Sequence, residues 1–203
     1  MKIADIDFNF DENYQQVKSL PDDPKDSIPL MTSTENADCL VMLYPISEEQ
    51  AMPFNDSNSV IEGIHGCLDA DQGLIEVESG TTKSGHSYIG SIVKTFDKEH
   101  HGVSYCLTLN IQYPNLILMV HGFFNETGTT GIRDTMVYAA LSEAGKVKTT
   151  DTGIEGWNKD PYDETFTCGN LKNCSEDKEF DQFFPAHPLS ECRRILNYIL
   201  ENN

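Results

Sequence analysis

Val103-Ser104-Tyr105-Cys106-Leu107-Thr108-Leu109-Asn110-Ile111-Gln112, then Tyr113-Pro114-Asn115, then Leu116-Ile117-Leu118-Met119-Val120-His121-Gly122-Phe123-Phe124-Asn125, is the stretch whose reading decides the fold. Val103, Tyr105, Leu107, Leu109 and Ile111 alternate with Ser104, Cys106, Thr108, Asn110 and Gln112, so this segment is a strand with one apolar face. A connection as short as Tyr113-Pro114-Asn115 can only join antiparallel neighbours. Leu74 to Glu78 and Tyr88 to Thr95 read as two further strands, which completes a four-strand antiparallel meander.

Upstream, Cys39-Leu40-Val41-Met42-Leu43-Tyr44 is an unbroken apolar run ended by Pro45, the pattern of a strand buried on both faces. Asp5 to Phe10 alternates with period two and places Ile6, Phe8 and Phe10 on one side of a half-buried strand. Residues 11–37, with Pro21, Pro24 and Pro29 among Asp, Ser and Asn, read as a long loop containing one short extended piece. Ser59-Val60-Ile61-Glu62 has capping-box spacing, and Val60, Ile61, Ile64, Cys67 and Leu68 follow at helical spacing. A second helix is expected after Gly131, with Ile132, Met136, Ala139 and Ala140 on its apolar face and its end near Gly145. Residues 146–171 read as a polar linker lying against the body, with Trp157, Tyr162 and Phe166 isolated in it. Pro188 to Leu200 is an amphipathic helix striped by Leu189, Cys192, Leu196 and Ile199. The expected fold is α+β: an antiparallel twisted β-sheet flanked by α-helices over 1–145, followed by a C-terminal helical extension over 146–203.

Thirty-three acidic against fourteen basic residues give a formal charge of -19, and both parts of the chain share the bias. Such a surface repels phosphate backbones and anionic headgroups, which excludes nucleic-acid and membrane-surface roles. Asp5 and Asp7 interrupt the apolar run a signal peptide needs, and Leu116 to Val120 falls far short of the roughly 18–20 residues of a membrane span. A cytoplasmic location is therefore expected, with Cys39, Cys67, Cys106, Cys168, Cys174 and Cys192 reduced. The partner such a surface suits is a basic protein, drawn in by long-range attraction.

Chemistry-bearing motifs are sparse. The loop Glu126-Thr127-Gly128-Thr129-Thr130-Gly131 leads from a strand into a helix. Its amides, with Thr129, Thr130 and Arg133, can receive an anion at the helix start, or the loop is only a turn whose glycines permit positive φ. No Gly-Lys-Ser/Thr follows, so it is not a P-loop. His121 shares a face with Met119 and Phe123 and reads as a buried, hydrogen-bonded histidine, or as a participant in a ligand site with Glu126. His100-His101, after Asp97 and Glu99, reads as a hairpin tip, since neighbouring side chains of an extended segment diverge. Cys168 and Cys174 lack the second pair of ligands that zinc requires, and no metal or cofactor is expected. Phe180, Phe183 and Phe184, with Asp181 and other carboxylates around them and His187 nearby, either anchor the tail or bind a basic amphipathic partner. No catalytic signature is present, and no catalytic residue is assigned.

The order of strand, buried strand, helix, four-strand meander and helix after the 126–131 loop resembles the PsbP-like fold, over about residues 3–145. That family includes a photosystem II extrinsic subunit, a nuclear-import GTPase-binding protein and bacterial chaperones for secreted effectors. The resemblance implies an α/β/α sandwich that holds partners against its sheet or flanking helices, without chemistry. Tyr162-Asp163, Asn173-Cys174-Ser175-Glu176 and Phe184-Pro185-Ala186-His187-Pro188-Leu189-Ser190 resemble segments of bacterial proteins to which no activity is attached. A noncatalytic bacterial cytoplasmic protein-binding module of the adaptor, effector-chaperone or immunity type is thus expected. The alternative is a small hydrolase or ligand-binding enzyme built on the 126–134 loop.

Overall fold

The structure, a computed structural model, describes residues 1–99, 102–151 and 153–203. The anticipated meander is present as β6 (Gln72–Thr81), β7 (Ser87–Asp97), β8 (Gly102–Gln112) and β9 (Ile117–Glu126), preceded by β1 (Lys2–Ile3), β2 (Ile6–Asp7), β3 (Gln15–Gln16), β4 (Ile28–Ser33) and β5 (Ala37–Ile46). Among the described residues there are also three α-helices, α1 (Ser57–His65), α2 (Ile132–Glu143) and α3 (Pro188–Asn202), a small β10 (Lys148–Thr150) and β11 (Gly153–Glu155) pair, and short 3-10 turns at Glu48–Gln50, Cys174–Glu176 and Lys178–Phe183. Seven strands form one antiparallel sheet in the order β3-β4-β5-β9-β8-β7-β6. The β8–β9 turn closes with the Tyr113 amide on the Leu116 carbonyl at 2.9 Å.

Tyr105, Leu107, Leu109 and Ile111 of β8 join Val41 and Leu43 of β5 and Leu118, Val120 and Phe124 of β9 on one sheet face. Against them lies α3, whose Leu189, Cys192, Ile195, Leu196 and Ile199 are all sealed in the same core. Gly122 faces this core opposite Val41 and Leu107, and a Cβ there would stand 2.7 Å from the Phe124 ring. The missing side chain lets that ring lie flat on the sheet. Phe8 and Tyr14 of the N-terminal arm finish the layer, and the Tyr14 hydroxyl donates to Glu191 of α3 at 2.9 Å. Residues 1–145 and 146–203 therefore share one core.

Several local expectations are corrected. The segment from Asp5 to Phe10 contributes only a two-residue rung, although Ile6, Phe8 and Phe10 do pack on the core as its alternation requires. The 11–37 stretch holds a six-residue strand, β4, despite Pro29. The Pro29 carbonyl accepts from Val17 on the β3 side, so its missing N–H also lies on that side and the ladder to β5 is intact. β5 is buried on one face only: Leu40, Met42 and Tyr44 are half-exposed on the other. Helix α1 starts one turn early, because Asp56 caps it by accepting from the Ser59 amide, and of its apolar positions only Val60 is buried.

Helix α2 is rotated away from its expected face. Arg133 and Val137 point inward, while Ile132 and Met136 are 42% and 59% exposed. The free side of β6 is not bare. The Tyr162 hydroxyl accepts from the Val77 amide at 2.6 Å and donates to the Val77 carbonyl at 2.9 Å. Further along, the Asn170 amide donates to the Gln72 carbonyl at 2.7 Å. Here chain passes so close to chain that a Cβ on Gly73 would stand 1.8 Å from the Asn170 carbonyl oxygen, and Gly169 meets the same strand at φ +76°.

Since α3 completes the core, Leu196→Ala is expected to cost about 2–5 kcal/mol, as buried Leu truncations do. Urea unfolding followed by circular dichroism should show this as a lower midpoint of a single transition, with no separate early melting of the C-terminal part.

Candidate functional site

Three places carry chemistry: two adjoin at Glu126 and His187, and one lies on the opposite face of the sheet. The first is a cavity of about 460 Å³ between the core-side end of the sheet, the start of α2 and the returning chain around residues 157–173. Its lining includes Lys94, Tyr105, Glu126, Asp134, Trp157 and His187. Glu126, at the end of β9, accepts from the Gly131 amide at 2.9 Å and the Val103 amide at 3.2 Å. Burial, with Asp134 close by, pushes its carboxyl above the usual range. Asp134, in the first turn of α2, accepts from the Ser175 hydroxyl and the Asn173 carboxamide. Lys94 is 2% exposed and donates to Glu176 at 2.8 Å, and the Tyr105 hydroxyl donates to the same carboxylate at 2.9 Å.

Arg133 does not face a ligand. Its guanidinium is 1% exposed and donates to the Ser175 carbonyl (2.7 Å), the Ser190 hydroxyl (2.9 Å), Asp181 (2.9 Å) and the Asp177 carbonyl (3.3 Å), with the Phe184 ring 5.9 Å away. A guanidinium with its donors so placed has none to offer an incoming anion. Asp181 also receives Arg193, whose Nε donates to Glu76 and whose terminal nitrogen donates to the Glu176 carbonyl. Asp181 is thereby a clamp between two arginines.

His187 caps α3: its Nδ1 accepts from the Leu189 amide at 3.2 Å. Burial, reinforced by Arg133 and Arg193, lowers its pKa to about 3, so the ring is neutral. Thr129 is exposed beside Ile132 and Phe183, Thr130 packs a methyl near Gly102, and neither takes part in the cavity. Phe180 and Phe184 are packed inward, the first with Val137, Val147 and Trp157, whereas Phe183 is 67% exposed. The aromatic cluster thus divides, two rings anchoring and one facing solvent.

The second place is the sheet face opposite α3. His121 lies here, away from Glu126 and the 126–134 loop, so the two do not form one site. Rows cross the strands in register: Met31, Leu40, Phe123, Cys106 and Val93, then Met42, His121, Thr108 and Ser91, then Tyr44, Met119 and Asn110. Helix α1 and its lead-in cover the β6 side, and the Met52 amide donates to Asn110 at 2.8 Å, but β4, β5 and β9 stay half-exposed. Cys106 Sγ sits 3.6 Å from His121 Nε2, a juxtaposition missed in the sequence because the two are cross-strand diagonals. Burial raises the thiol and lowers the imidazole, so both are neutral and the pair is no activated nucleophile.

The third is a smaller recess of about 240 Å³ beside Ile132, Phe183 and Phe184, separated from the first only by Glu126 and His187, which line both. All six cysteines are free. Among the described residues no group of His, Cys, Asp and Glu gathers as metal ligands would, and no helix is long and apolar enough to cross a membrane. His100 and His101 lie outside the described residues.

No family model matches the chain, and no curated protein matches it. Among solved structures it is similar to a Pseudomonas aeruginosa protein of unknown function, 12% identical, with 66% of this chain and 94% of that one covered at a TM-score of 0.36. That likeness is too distant to inform the fold or the site.

A histidine harder to protonate folded than unfolded holds fewer protons in the native state, so its contribution is intact above pH 6.5 and drains as pH falls towards 3. Between pH 7 and pH 5 the protein should lose about 2 kcal/mol through His187 alone. His187→Asn keeps a capping acceptor and removes the titration. Urea unfolding at the two pH values should give a visibly smaller difference for this variant than for the parent.

Proposed function

We propose that this protein is a noncatalytic binding module whose open sheet face holds a basic, amphipathic segment of another protein, in the manner of an adaptor, effector chaperone or immunity-type partner acting in the bacterial cytoplasm. The observation that carries this reading is the make-up of that face. Its rows of Leu40, Met42, Tyr44, Met119 and Phe123 are apolar and half-exposed, and the strands β4, β5, β8 and β9 contain no Lys or Arg. Asp38 and Glu35 border one end, Glu48 and Glu49 the other, all exposed.

The rest of the molecule sharpens this polarity. Lys94, Arg133, Lys172, Lys178, Arg193 and Arg194 are engaged with the protein's own carboxylates, three of them (Lys94, Arg133 and Arg193) buried, so part of the scarce positive charge is already spent within the molecule. An apolar centre ringed by uncompensated carboxylates suits a segment with one apolar and one cationic side. The sequence's resemblance to the PsbP-like fold, whose members hold partners against a sheet, supports the same reading.

A synthetic amphipathic Leu/Lys peptide and its Leu/Glu counterpart test the reading by calorimetry. The cationic peptide should bind with an affinity that falls as salt is added, and the acidic one should not. Met42→Ser/Phe123→Ser should weaken binding by about tenfold or more, while Met136→Ser on α2 should leave it unchanged. Equal binding of both peptides, or indifference to the sheet-face variant, would overturn the proposal.

A further inference from the structure

The buried polar groups that line the cavity beside α2 are satisfied by the protein except at a few atoms, and those atoms, with the Asn158 and Asn170 carboxamides that add both donors and acceptors, define what it can take. His187 accepts at Nδ1, so its single ring proton resides on Nε2, and that N–H has no partner among the described residues. The indole N–H of Trp157 likewise donates to no described group, and both residues are only 8% exposed. Neither atom is walled off: among the described residues the sealed side-chain atoms without a partner are Ser27 Oγ and Glu76 Oε1.

Acceptors face the same space. Glu126 and Asp134 are held by neutral donors, two backbone amides for the first and a hydroxyl and a carboxamide for the second, and no described Lys or Arg pairs with either. Of the two lysines in the lining, Lys94 is committed to Glu176, and Lys98 is 70% exposed and 3.9 Å from Asp71 at the rim.

These constraints eliminate the charged classes. An anion would meet two carboxylates and no uncommitted buried cation. An ammonium or guanidinium carries only donors and leaves the two N–H groups unanswered. A hydroxyl both donates and accepts, satisfying carboxylates and N–H groups together, and the Trp157 ring offers apolar surface for a ring to lie against. The volume of about 460 Å³ falls within the roughly 300–1,000 Å³ of small-molecule sites. We infer that this cavity binds an uncharged, polyhydroxylated small molecule of mono- or disaccharide size. It opens on the side of the sheet opposite the peptide-binding face, so the two proposals stand or fall separately.

Trp157 is the chain's one tryptophan, which gives a single indole resonance as reporter. Glucose, galactose, mannose and ribose are titrated against the labelled full chain, with glycine, arginine and inorganic phosphate as controls. At least one sugar should shift that resonance saturably at millimolar concentration, and none of the controls should. Glu126→Gln, which keeps the shape and removes a charged acceptor, should weaken the effective sugar by about tenfold. If this variant loses the dispersion of its spectrum, Asp134→Asn takes its place. The proposal is overturned by a resonance unmoved by all four sugars, by a saturable shift with arginine, glycine or phosphate, or by a folded variant that binds as tightly as the parent.

Discussion

Burying a guanidinium is the constraint to which the rest of this structure answers. Arg133 and Arg193 cannot shed their charge, and once inside they need acceptors at every donor. Most of those acceptors come from one short stretch, the carbonyls of Ser175, Glu176 and Asp177 and the carboxylate of Asp181, with Ser190, Glu76 and His187 Nδ1 completing the set. Lys94 adds a third buried cation, answered by Glu176 from the same stretch. The chain after α2 is therefore obliged to return across the sheet end before α3 can start, and in doing so it builds the wall of the cavity.

How much of this was written legibly in the sequence depends on whether the signal is local. The meander was readable because each strand carries its own alternation, and β8 shows it without interruption from Val103 to Ile111. The apolar stripe of α3 was readable for the same reason. What failed was inference about partners distant in the chain. Arg133 reads as a surface residue in any single-helix analysis, and only the carbonyls some forty residues later turn it inward and carry Val137 with it. Ile132 and Met136 are left outside in consequence.

The candidate sites show the same division. The loop at 126–131 was recognisable as a strand-to-helix junction, but its threonines serve the turn, while Glu126 and Gly131 reach the cavity. His121 was correctly grouped with Met119 and Phe123. The face they share is the open one, a choice that hydrophobicity could not make, because β5 and β9 are apolar on both sides. Lys94, Tyr105, Asp134 and Trp157 gave no signal at all, being single residues on four separate segments that only the tertiary fold assembles.

Tyr162 has a consequence for how this molecule can meet others. Its hydroxyl takes both backbone hydrogen bonds of Val77, the very pair that an added strand from another chain would need, and the close passage of Gly169 and Asn170 past Gln72 and Gly73 covers the start of the same strand. Lateral growth of the sheet is thus stopped at that margin by a phenol and a peptide group of the protein itself. Strand addition at Val77 and at the start of β6 is thereby denied to a second copy or a guest.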